Sequence, residues 1–225
     1  MRLSTGLSLV ASVFLLISLP IVFGQLMAAA LAKLHLSATA AATVFVSIFA
    51  GGLINIPVRR IVHRADVVVH PFAILGLHEL WPQLRRIRHD TVIAVNVGGC
   101  VIPAGLAVYE LAHVVALGPH LMLATTVDCM ANITACYFLA RPVAGVGILM
   151  PGLIPAAIAA FLALILAPAD ASPVAFIAGV AGPLIGADVL HLKEIKSCAT
   201  GMASIGGAGT FDGIVLSGIV AAYLA

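Results

Sequence analysis

Glu110, Asp128, Asp188 and Asp212 each lie inside an apolar stretch of this chain, and no Lys or Arg sits at comparable depth. A carboxylate in hydrocarbon is costly, so each must be protonated, paired, or bound to a cation. Asp188 and Asp212 fall on consecutive predicted spans that run antiparallel, separated by a glycine-rich break. If residues 201–209 form a re-entrant or extended segment rather than helix, the two carboxyls can meet at similar depth. Two acids brought together share a proton and titrate as a unit. Such a pair can bind a cation, relay protons or activate water.

The four acids differ in setting. Asp188, in Gly186-Ala187-Asp188-Val189-Leu190-His191, lies ~8–12 Å below Lys193 and Lys196 at helical rise. It either pairs with Lys193 or His191 at the interface or marks the inner end of a cavity. Asp212 is deeper, with ~20 Å of helix after it, and Thr210 and the surrounding glycine amides lie beside it. Glu110 and His113 are i,i+3 neighbours near the outer end of the third span, and Asp128 lies near the outer end of the fourth, with His120 before it. Carboxylate and His at this spacing are metal-ligand types, but a Glu–His pair near an interface more often satisfies itself. No metal site or other cofactor is expected. Cys100, Cys129, Cys136 and Cys198 all fall in apolar segments without CxxC spacing, the pattern of buried thiols rather than of disulfides or zinc.

The elements that position these groups are membrane helices. With 62% apolar and 9% charged residues and a mean hydropathy of +1.19, a soluble globule is excluded. The expected fold class is all-α: a single transmembrane domain over residues 1–225. Stretches of about 20 apolar residues fall at 7–31, 38–57, 91–117, 121–140, 143–167, 173–192 and 203–225, giving about seven spans. The first is read as a retained helix, because no good small-x-small cleavage site follows Met1-Arg2 and Leu7 to Pro20.

A cytoplasmic N-terminus places Arg2, the six arginines of 58–90, Arg141, Lys193 and Lys196 inside, leaving Lys33 outside and the C-terminus external. The 58–90 stretch, with Arg59, Arg60, Arg64, Arg85, Arg86, Arg88, four histidines and Trp81, reads as an interfacial element against anionic lipid. It abuts the membrane, which argues against nucleic acid as a partner. The expected location is the cell membrane, multi-pass, with the bilayer and a small solute, proton or cation as partners; a homo-oligomer is compatible with it.

Several spans carry helix breakers: Asn96-Val97-Gly98-Gly99 before Pro103, Gly145 through Pro155, and Ser204 through Gly213. Gly costs about 1 kcal/mol and Pro about 3 kcal/mol in a helix interior. These residues either permit close packing or make discontinuous helices that present free main-chain groups to a ligand. Gly98, Gly99, Gly206 and Gly207 are then candidate path-lining positions, with Asn55, Asn96, Thr210 and His191. Ser47-Ile48 to Gly52 and Asn55 also echo Ser204-Ile205 to Gly209 and Asp212 in type and spacing, as an inverted repeat would.

Leu53 to Pro57, Asn96 to Gly99, Arg141-Pro142 through Pro155, Gly186-Ala187-Asp188 with Leu190-His191-Leu192, and Ala203 through Gly213 together resemble an uncharacterised family of bacterial and archaeal polytopic membrane proteins. That resemblance implies a membrane location and a shared site, and no reaction. More weakly, Gly186-Ala187-Asp188 and Phe211-Asp212 are similar to the paired motifs of the Gly-x-Gly-Asp intramembrane aspartyl proteases. Ile185 and Ala187 stand at its two glycine positions, the motif order is reversed, and no Pro-Ala-Leu element follows. Three functions are carried forward: a proton- or cation-coupled carrier or channel for a small solute, read as the first; an intramembrane aspartyl hydrolase; and a non-catalytic subunit or assembly factor. Asp188 and Asp212 are the working acids in the first two.

Overall fold

A computed structural model describes residues 2–62, 90–143, 147–194 and 202–225. Within them the chain is mostly helical: α1 (Arg2–Leu31), α2 (Ala38–Gly51), α3 (Ile102–Leu117), α4 (Pro119–Leu139), α5 (Leu153–Leu166), α6 (Ala171–Ala181) and α7 (Gly213–Leu224). One helix falls in each predicted span. Three continuous helical stretches, Val97–Leu117, Pro119–Leu139 and Ala171–Val189, are long and apolar enough to cross a bilayer by length and composition, the mark of a membrane protein. The interfacial reading of 58–90 falls largely on residues 63–89, outside the described residues, as do Lys196 and Cys198.

The all-α expectation needs correction. Strands β1 (Asn55–Val62), β2 (Asp90–Asn96) and β5 (Met202–Ile205) form a sheet in the order β1-β2-β5. β1 pairs antiparallel with β2 from Asn55 opposite Asn96, and β5 runs parallel to β2 with Val95 opposite Ile205. A second hairpin pairs β3 (Arg141–Val143) with β4 (Gly147–Leu149). Three predicted spans, 38–57, 91–117 and 203–225, are therefore part helix and part strand, and 143–167 opens on strand. Hydropathy alone does not separate the two: Thr91-Val92-Ile93-Ala94-Val95 is as apolar as a helix but rich in β-branched residues. Pro57, which lacks a ladder donor, sits where the β1 register shifts.

Local chemistry sets the helix ends. The Ser37 hydroxyl accepts from the Ala40 amide at the start of α2. Gly118, at φ +123°, turns α3 into α4, which begins on Pro119. At the end remote from the sheet, Lys33 Nζ donates to the Tyr223 carbonyl in the last turn of α7, where a cation suits the exposed carbonyls.

Packing divides in two. Phe23, Met27, Leu31, Ile48, Phe176, Val180, Ile214, Val215 and Ile219 form one buried cluster. The other is built of alanines from α4 to α7, among them Ala124, Ala156, Ala163, Ala175 and Ala221, whose small side chains let the helices approach closely. Phe138, Phe161, Val108 and Leu123 point outward, as suits lipid-facing positions.

Candidate functional site

The broken spans meet at the sheet end. α2 stops at Gly51; β2 passes into a π-helical turn at Val97–Val101 before α3; β5 passes through a 3₁₀ turn at Gly209–Phe211 before α7. Their glycines touch main chain to main chain. A Cβ on Gly98 would overlap the Ile48 carbonyl, one on Gly99 would overlap the Gly206 carbonyl, and one on Gly209 would come within 3.1 Å of Gly52. Gly206 and Gly209 also have φ of +71° and +61°, conformations that favour glycine.

Asn96, fully buried, ties the junction together. Its Nδ2 donates to the Gly52 carbonyl (2.8 Å) and to Asn55 Oδ1 (3.2 Å), while its Oδ1 accepts from the Gly99 amide (2.7 Å). Ser204 Oγ donates to Asn55 Oδ1 at 2.6 Å. One network thus fixes the ends of α2, β2 and β5, and it satisfies main-chain groups that the broken helices leave free.

Asp212 begins α7. Its Oδ1 accepts from the Ile214 amide (3.0 Å) and its Oδ2 from the Ala208 amide (3.3 Å). Asp188 arrives from α6, which continues past Gly182-Pro183 as a π-helix to Val189. Proline removes an amide donor and crowds the preceding turn, and the wider π turn takes up the disturbance; Leu190 N–H reaches back five residues to Ile185 O at 3.0 Å.

Both carboxyls line one cavity of about 470 Å³. Asn55, Ser204, Gly206 and Gly207 share it, every residue from Met202 to Ala208 borders it, and Gly147 to Met150 also line it. Asp188 and Asp212 share this space and lie within electrostatic reach of one another. β5 is, with β1, an edge strand of its sheet among the described residues, and a strand lining a cavity with consecutive residues offers main chain as well as side chains.

Other candidate residues go elsewhere. Asn96, Gly98 and Gly99 pack the junction and do not line the cavity; neither does the buried Thr210. His191 is buried with Nδ1 bonded to the Gly186 carbonyl (3.0 Å) and Nε2 3.7 Å from Glu194, and among the described residues no hydrogen bond or ion pair joins it or Lys193 to Asp188. Ser47 lies in α2 and Ser204 in β5, so the sequence echo is not repeated in backbone conformation, though its matched glycines, Gly52 and Gly209, touch.

The expected partner of Glu110 and the expected depth of Asp128 need revision. Glu110 is fully buried, and its partner is His35, not His113: it accepts from His35 N (3.1 Å) and from His35 Nδ1 (2.8 Å). His113 instead stacks on His35 with ring centroids 5.0 Å apart and bonds the Tyr109 carbonyl. Asp128 is also fully buried, and neither carboxyl oxygen has a hydrogen-bond partner among the described residues. α4 starts at Pro119, so Asp128 lies ~14 Å along it at helical rise, near its middle.

Ser204 and the β3–β4 strands are the site elements that sequence reasoning missed. The signal for the hairpin was present in Arg141-Pro142 and the glycines that follow, which read as breaks in a helix.

Fold and cavity together define a mostly helical membrane protein whose helices break against a small sheet beside an acid pair. The family described as a protein of unknown function (DUF1614) matches residues 48–224, and the chain belongs to it. No curated protein and no solved structure matches the chain.

Proposed function

We propose that the chain is a multi-pass protein of the cell membrane and that the Asp188–Asp212 cavity is a hydrolytic site for membrane-embedded polypeptide. Three of the seven proposed crossings rest on helical stretches long enough to span by themselves, and the last reaches the same length from two elements. The 12 residues of α7 supply ~18 Å and the four of β5 ~13 Å, together close to the ~30 Å of a hydrocarbon core. The basic residues favour the sheet end as cytoplasmic.

The observation that carries the hydrolytic reading is that two carboxyls and all four residues of the edge strand β5 line the same cavity. An extended peptide can pair with such an edge. Asp212, with two main-chain donors on its oxygens, acts as the base and takes a proton from water as the water oxygen attacks the scissile carbonyl carbon. Asp188, with no such donors among the described residues, gives its proton to the carbonyl oxygen. Collapse of the tetrahedral intermediate moves a proton to the amide nitrogen, breaks the C–N bond and returns both acids to their starting states. Beyond the acids, Phe176, Val180, Val215 and Ile219 fill the bundle, which favours local chemistry over a continuous channel.

The test is cleavage of transmembrane peptides by the full chain in liposomes. Asp188→Asn and Asp212→Asn should each lower the rate by roughly 10²-fold or more. Folded protein that cleaves none of a broad peptide set would overturn the reading.

A proton- or cation-coupled carrier is the second reading. It is favoured by three broken spans meeting at one point, the arrangement that offers half-helix ends to an ion. Solute flux in the same liposomes that follows a pH or cation gradient and is lost with Asp212→Asn would select it. Retention of biological function by Asp212→Asn would leave the acids a structural role, in a non-catalytic subunit.

A further inference from the structure

Asp128 is separate from this cavity. α4 and the α6 helix run in the same direction along their contact: Asn132 Nδ2 donates to the Ala178 carbonyl (2.8 Å), and Gly186 packs against Ile133 and Cys136. Cys136 lies within electrostatic reach of Asp188, and Asp128 is eight residues earlier on the same helix face, ~12 Å farther from the sheet end.

Among the described residues no side chain pairs with Asp128 or donates to it. The polar neighbours one turn away bond elsewhere: Thr125 Oγ1 donates to the Leu121 carbonyl and Asn132 Nδ2 to the Ala178 carbonyl, and neither is bonded to Asp128. α5 and α6, both packed on α4, contain no acidic or basic residue within Leu153–Leu166 and Ala171–Ala181. On α3, Glu110 is held by His35, His113 bonds the Tyr109 carbonyl, and the Tyr109 hydroxyl donates to the His35 carbonyl. The other titratable groups of α4 are His120, two turns away, Cys129, Cys136 and Tyr137. Ala124, one turn before Asp128, packs with alanines of α5 and α6. A hard metal cation would need some six or more oxygen ligands, which an alanine-lined setting does not supply. A hydrogen ion needs one.

We propose that Asp128 is a proton-binding site in the middle of α4, a carboxyl that carries its own hydrogen inside the bundle and is distinct from the Asp188–Asp212 pair. The proposal does not rest on the hydrolytic reading.

Infrared spectra of the full chain in liposomes test it, in an Asp188→Asn/Asp212→Asn background so that the cavity acids do not contribute. At neutral pH a protonated-carboxyl C=O band that shifts in heavy water should be present, be lost on Asp128→Asn, and be unmoved by sodium, potassium or calcium. If Asp128→Asn does not fold, isotope-labelled aspartate in the same background assigns the band by its isotope shift. Absence of the band from folded protein at neutral pH overturns the proposal, as does its disappearance on adding any of the three cations.

Discussion

Gly99 and Gly206 meet main chain to main chain, so closely that a Cβ on Gly99 would overlap the Gly206 carbonyl. This contact joins the turn before α3 to the turn before α7, and so sets how near Asp212 lies to the β2 end of the sheet. Neither glycine can gain a methyl group unless backbone moves.

Gly99→Ala should therefore destabilise the protein by about 3 kcal/mol or more, at or above the upper end of ordinary overpacking because the obstacle is main chain. Gly105, in α3 with nothing near its missing Cβ, is the control: Gly105→Ala should stabilise by up to about 1 kcal/mol through helix propensity. Thermal unfolding in detergent followed by circular dichroism reads both.

Asn96→Ala leaves the Gly99 amide and the Gly52 carbonyl without their side-chain partner. At about 1–3 kcal/mol for each stranded buried group, the loss should exceed that of Ser204→Ala, which removes a single bond to Asn55. Comparing the two melting temperatures decides it; equal losses would count against Asn96 as the hub.

Asp212 both caps α7 and lines the cavity, and the two roles separate by substitution. Asn is as good an N-cap as Asp, while Ala costs about 0.5–2 kcal/mol. Asp212→Asn should keep near-native stability and lose activity, whereas Asp212→Ala should lose both. The acid–base roles also require a bell-shaped dependence of kcat/KM on pH, since one carboxyl must be charged and the other protonated. A monotonic profile would refute that division of labour.

At the opposite end, His35 and His113 stack together, yet among the described residues Glu110 bonds His35 and not His113. His35→Ala removes the ring partner of a buried carboxyl and leaves it the main-chain amide of residue 35, and should cost about 2–3 kcal/mol. His113→Ala removes a stacking contact and should cost about 1 kcal/mol. Unfolding measurements on the two variants test the asymmetry.

The helices were legible because about 20 apolar residues between polar turns is a strong signal, and the acids stood out because charge is rare in such stretches. The sheet was not legible. Val92-Ile93-Ala94-Val95 is buried on the pattern of a helix segment, and its partners lie far away at 55–62 and 202–205. Glu110 was paired with His113 because local spacing suggests it, while its partner His35 is 75 residues away. Asp128 was placed near the outer end of its span with His120 in the turn before it, but α4 already begins at Pro119, which sets Asp128 near the helix middle.

The wide turns from Gly182 to Val189 have an angular consequence. A π turn closes one residue later than an α turn, and one residue corresponds to ~100° of rotation. Asp188 therefore owes its heading to a slip of helical phase built up after Pro183. Removing a single residue from this stretch would let an ordinary helix form with every side chain type intact, and would swing the carboxyl away from Asp212.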